Sequence, residues 1–119
     1  MKTFGNIAIG DYLFYVHHNE ETCDFELTSQ KVTNIIPAFC FEANLLCEHQ
    51  EHLNNNMTAC DLKKSFRRWD KHTYVFTDYD EAVEFGRQWH KTITAKLHRQ
   101  AREIEKKLKL YNKSTILFD

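Results

Sequence analysis

The feature that most constrains this chain lies in its last third. Apolar side chains recur there at Ala82, Phe85, Trp89, Ile93, Leu97, Ala101, Ile104, Leu108 and Tyr111. That is 29 residues in eight steps, or 3.6 per step, the period of a straight α-helix rather than of a 3.5-residue supercoil. Asp78, Asp80 and Glu81 stand just ahead of it. Asp78 can accept from the N–H groups of the first turn, Glu81 can reach back, and all three acids favour the positive end of the helix dipole. A helix over 78–111 is about 50 Å long at about 1.5 Å per residue. A compact chain of 119 residues has a diameter of only about 35 Å. The helix therefore outruns any body the rest of the chain can build, and its distal part must project, fold back or pair with another chain. Because the apolar stripe continues through Ile104 and Leu108, plain exposure to water is the disfavoured outcome.

What precedes the helix reads mainly as strand. A chain of this length forms one domain, 1–119, and 42% apolar residues place it among folded rather than disordered chains. Residues 4–9 alternate weakly, Gly10 and Asp11 make a turn, and 12–16 form an aromatic, β-branched run. A polar loop is expected at 19–22. Phe25, Leu27, Val32, Ile35 and Ile36 continue the strand pattern, with a hairpin turn at 28–30 and an end at Pro37. Residues 38–41 form a further short strand, 44–52 suit helix and strand equally, and 54–56 read as loop. Thr58 with Asp61 starts a helix that sets Ala59, Leu62, Phe66 and Trp69 on one face; Thr73 to Phe76 is a compact strand. The expected architecture is α+β: a small antiparallel sheet or partly open barrel over 1–43, a mixed, partly helical 44–72, a strand at 73–76, and the long amphipathic helix. The expected core is Tyr12, Phe14, Val16, Val32, Ile35, Phe39, Val75, Phe85, Trp89 and Ile93.

A net charge of −1 hides a bipolar chain. Residues 1–62 carry nine acids against Lys2 and Lys31, a net of −7, while 63–113 carry fourteen Lys and Arg against seven acids, a net of +7. Lys63, Lys64, Arg67 and Arg68 surround Phe66 and Trp69, and nine further basic residues lie between Arg87 and Lys113. Three uses are open. The basic face can be solvated and balanced by the acidic half; it can steer contact between molecules; or Lys63, Lys64, Arg67, Arg68 and Trp69 can bind nucleic acid, the cations taking phosphates and the indole stacking on a base. No recognition-helix or RNA-binding signature accompanies them.

Cys47, His49, His52 and Cys60 form the one ligand set with a metal-like composition, sulfur and imidazole donors of the kind Zn²⁺ prefers. They lack a Cys-x-x-Cys knuckle, and the four cysteines, Cys23, Cys40, Cys47 and Cys60, are read instead as free thiols. The chain has no Gly-x-Ser-x-Gly, His-Glu-x-x-His or Walker motif and no cofactor fingerprint. We therefore expect a chain that is not an enzyme and needs no cofactor. No stretch approaches the roughly 18 apolar residues of a membrane span, and 1–5 lack a signal-peptide core, so a cytoplasmic protein is expected.

Two short segments carry a resemblance. Gly10 to Val16 leading to Lys31 to Ile35 resembles the first strands of small SH3-like barrels, and Val75 to Ala82 resembles the strand-to-helix junction of small phage and mobile-element proteins, in which such a barrel precedes a charged helix. The resemblance implies an SH3-like partial barrel and a phage or bacterial accessory protein, with a virion as one setting. It transfers no functional residue. Taken with the helix, it leads to an interaction module that self-associates or docks on a larger protein assembly through Leu97, Ile104, Leu108 and Tyr111.

Overall fold

A computed structural model describes residues 2–38, 41–48 and 55–113. Six strands form one antiparallel sheet: β1 (Tyr12–Asn19), β2 (Asp24–Ala38), β3 (Phe41–Cys47), β4 (Asn56–Met57), β5 (Phe66–Asp70) and β6 (Thr73–Phe76). Their order is β4-β3-β2-β1-β6-β5, an antiparallel half-barrel. One helical turn, α1 (Ala59–Leu62), separates β4 from β5, and a long helix, α2 (Tyr79–Lys113), follows β6. The α+β class is the expected one. By proximity the chain resolves into two compact units, Met1–Gly86 and a second beginning at Arg87.

The β1–β2 hairpin turns at 20–23 rather than at 28–30. The Asn19 side chain accepts from the backbone N–H groups of Glu21 and Thr22 at 3.0 and 3.3 Å, and Cys23 takes a left-handed φ of 62°. That local side-chain bonding closes a turn. Thr28, Ser29 and Gln30 then pair in mid-strand with Tyr15, Phe14 and Leu13. Pro37 coincides with a register break between Ile36 and Ala38, as a residue without an N–H requires.

β1 is central and covered on both faces. On one face Leu13, Tyr15, Val32, Leu45, Cys47, Met57 and Val75 form the core with Phe4 and Ile7, and Ile35, Leu62 and Trp69 pack against it. On the other, Phe14, Phe76 and Phe66 stand in one cross-strand row. Tyr79 meets Phe14 edge-on at 5.7 Å, and Phe85 meets Phe76 at 5.1 Å and Tyr74 at 4.5 Å. Such ring pairs add to plain area burial. Asp78 caps the start of α2, accepting the Glu81 N–H at 2.9 Å, while the Glu81 carboxylate accepts from the Ser65 hydroxyl.

Several expectations are corrected. Residues 4–6 form a 3-10 turn, not a strand, wedged so closely on α1 that a Cβ at Gly5 would lie 2.9 Å from the Leu62 carbonyl oxygen. The Thr58–Asp61 capping box forms in full, but the helix it starts ends at Leu62. The next backbone groups pair elsewhere: the Lys64 carbonyl accepts from the Phe4 N–H and that of Ser65 from the Thr77 N–H, both at 2.9 Å. Asn56 lies in β4, opposite Asn44. Tyr12 is 49% exposed, and Phe14, Phe85, Trp89 and Ile93 are half-buried rather than core. Phe39 and Cys40 lie outside the described residues, while the other two residues of the expected strand at 38–41 end β2 and begin β3.

Candidate association surface

α2 runs for 35 residues, and its stripe is not treated alike along its length. Ala82 is buried, and Phe85, Trp89 and Ile93 are half-buried. Beyond them Leu97, Ile104, Leu108 and Tyr111 are 54%, 65%, 57% and 77% exposed. The stripe thus keeps its apolar spacing into a segment where, among the described residues, its side chains are exposed. Thr92 and Thr94 satisfy their hydroxyls on the carbonyls of Gln88 and His90, four residues back, at 2.9 and 2.8 Å, so they sit in the helix without an unmet donor. At about 100° per residue, Leu97, Ala101, Ile104, Leu108 and Tyr111 fall within one face. Lys96, Arg99, Arg102, Lys106, Lys109 and Lys113 fall off it. Ala101, part of the counted period but absent from the expected contact set, completes the surface between Leu97 and Ile104. Its small side chain gives little hydropathy signal.

The basic set at 63–69 is divided by the fold. Arg67, Arg68 and Trp69 lie on β5 rather than on a helix, and successive side chains of a strand point to opposite faces. The Arg67 guanidinium donates to the Asn56 carbonyl and lies 3.5 Å from the Asp61 carboxylate. Trp69 packs edge-on against Tyr15 at 5.6 Å, so its indole is engaged in the core. Lys63, Lys64 and Arg68 are exposed, with Arg68 donating to the carbonyl oxygens of Asp70 and Lys71 at 3.1 and 3.4 Å.

The thiol candidates differ in exposure. Cys47 is buried and Cys60 exposed, while His49 and His52 lie outside the described residues. Among the described residues no three His, Cys, Asp or Glu side chains stand close enough to hold a metal ion. Cys47 approaches the Tyr15 hydroxyl at 4.0 Å and receives the Asn55 amide at 3.7 Å. Burial pushes both the Cys47 thiol and the Tyr15 hydroxyl above their ordinary values, so the thiol stays protonated and is a poor nucleophile or ligand at neutral pH. Asn55 anchors this corner by donating to the Leu45 carbonyl at 3.1 Å. Its role escapes sequence reading because it sits in an Asn run that reads as loop.

Fold and surface together define an α+β chain in which an antiparallel half-barrel precedes a long helix with an exposed apolar stripe. No family model matches the chain, and neither a curated protein nor a solved structure matches it. Among the described residues no helix is long and apolar enough to cross a membrane.

Proposed function

We propose that this chain is a non-catalytic association module whose contact surface is the apolar stripe of α2, and that it joins protein subunits by pairing that helix. A single observation carries the reading. Leu97, Ile104, Leu108 and Tyr111 continue the helical period of side chains that are buried or half-buried nearer the helix start, and all four are exposed. Exposed apolar area arranged as a continuous stripe marks a contact surface, and a helix face with spaced anchors is a recurrent recognition mode. The phage or virion setting is a finer form of this reading and rests only on the resemblance of segments 10–16, 31–35 and 75–82.

The test is solution mass by light scattering, at low and moderate salt, on the full chain and on an L97E/I104E/L108E variant. We expect a multiple of the 14.2 kDa chain mass that falls to the single-chain mass in the variant. An oligomer whose mass survives the three substitutions, or a full chain that is monomeric throughout, overturns the reading.

A further inference from the structure

The stripe of α2 changes its period where its exposure begins. Positions 82, 85, 89, 93 and 97 span fifteen residues in four steps, whereas 97, 101, 104, 108 and 111 span fourteen in four. The first spacing is wider than the helical repeat. The second is the alternating four-three spacing, 3.5 residues per step, by which two helices wind together in a left-handed coiled coil. The 29-residue average of 3.6 conceals both. Every stripe position up to Ile93 is buried or half-buried, and every one from Leu97 onward is exposed, so the coiled-coil spacing belongs to the uncovered part alone.

We propose that this segment pairs with the same segment of a second copy of the chain, antiparallel, about a two-fold axis between Arg102 and Glu103. The inference rests on the association reading above and adds the partner and its orientation. In that register Leu97 meets the partner's Leu108 and Ala101 meets the partner's Ile104, and each contact occurs twice, as a two-fold interface requires. Thr94 likewise faces the partner's Tyr111. Every layer then sets a small side chain against a large one, or two of equal size, which keeps the seam evenly filled. Parallel pairing in register stacks Ala101 on Ala101 and Tyr111 on Tyr111, leaving one layer hollow and another crowded.

The edges of the seam agree. In antiparallel pairing at this register His98 lies opposite the partner's Glu105 and Gln100 opposite the partner's Lys107, so a donor meets an acceptor on both sides and no like charges meet. In parallel pairing the same flanking positions bring Gln100 to the partner's Glu105 and Lys107 to the partner's Asn112, with no pair of opposite charges. Flanking pairs of this kind set partner and orientation in coiled coils. The pattern 97–108 is thus complementary to its own reversal, which singles out a second copy. Lys96, Arg99, Arg102, Lys106, Lys109 and Lys113 fall on the outer positions, where their mutual repulsion is screened by salt. Moderate salt should therefore tighten this dimer, whereas a contact between the basic helix and an acidic surface would loosen.

The test is disulfide mapping in the full chain with Cys23, Cys40 and Cys60 replaced by Ser, the buried Cys47 retained. Light scattering under reducing conditions and circular dichroism verify that each variant still folds and dimerises. We expect L97C mixed with L108C to form a disulfide-linked dimer on oxidation, and neither variant to do so alone. A dimer in which L97C or L108C links efficiently to itself overturns the antiparallel assignment and leaves the association reading standing; a chain that is monomeric at every concentration and salt overturns both. A second pair of variants leaves the apolar seam untouched. H98E should weaken the dimer about tenfold by opposing carboxylates at two symmetric positions, and H98E/E105H should restore it. No loss in H98E, or no recovery in the double variant, overturns the register.

Discussion

In the unit Met1–Gly86, Leu13, Val32, Met57 and Val75 are fully buried. From Arg87 to Lys113 no residue is buried, although the apolar residues there are as regularly spaced. The difference is one of geometry more than of composition. A sheet brings distant segments together, so Leu13 can be covered by residues more than 30 positions away, and the first turns of α2 close the opposite face of β1. A single helix presents one stripe and has no second layer of its own. Its distal positions are patterned for burial yet exposed, and this is why the first region forms a core of its own while the contact surface we propose lies in the second.

Substitutions can break that comparison or sharpen it. The largest effect is expected at the core: Leu13→Ala should cost about 3 kcal/mol, while Ile104→Ala in the monomeric chain should stay within about 0.5 kcal/mol. Urea unfolding followed by tryptophan fluorescence measures both, and equal costs would mean that the distal stripe is already covered. Next comes the divided basic set. Arg67→Ala removes a donor from the Asn56 carbonyl and the ion pair from the Asp61 carboxylate, which keeps the Thr58 N–H, and should cost about 1.5–2 kcal/mol, against about 0.5 kcal/mol or less for the exposed Arg68→Ala. If the two substitutions cost the same, Arg67 is not an internal anchor.

Smaller still is the cap that connects the two regions. Asp78→Ala should cost about 1 kcal/mol and reduce helicity at the start of α2, visible by circular dichroism and by amide exchange at Glu81. The smallest effect is a pH dependence confined to the sheet. Burial raises the Cys47 thiol above its ordinary 9.0 and the Tyr15 hydroxyl above its ordinary 10.0, so the folded chain holds those protons more tightly than the unfolded one. Their contribution is complete below pH 9 and declines as the pH climbs past it, by about a few tenths of a kcal/mol at first. Urea midpoints at pH 8, 9 and 10 test the sign; a midpoint that rises over that range contradicts it. At neutral pH, Cys23 and Cys60 should react with a thiol reagent in the folded chain and Cys47 only on unfolding.

Much of the architecture is legible in the residues themselves, but unevenly. The strand at Thr73–Phe76, the capping residues Thr58, Asp61 and Asp78, and α2 to within two residues at either end all follow from local patterns. The segment 58–69 misleads because Ala59, Leu62, Phe66 and Trp69 keep helical spacing while the chain folds as one turn and then a strand. There Trp69 gains burial against Tyr15, and the Ser65 and Lys64 carbonyls find partners in β6 and near the N-terminus, which outweighs local helix preference. The phase of β1 misleads for a different reason. Residues 12–16 are apolar without a break, so no alternation distinguishes the face of Leu13 and Tyr15 from that of Tyr12 and Phe14. Of the candidate basic residues, Arg67 and Arg68 fall on successive positions of β5 and so on opposite faces, a placement that a helical reading of 58–69 does not give.

The sequence by itself therefore determined what depends on neighbours within a few residues: helix period, caps, and the polar loop that begins at Asn19. Tertiary structure alone decided what depends on distant pairing. It chose which face of β1 is inner, turned Arg67 into an internal anchor, buried Cys47 while leaving Cys60 exposed, and left the distal stripe of α2 exposed, because burial is a property of the layers that meet and not of any one segment.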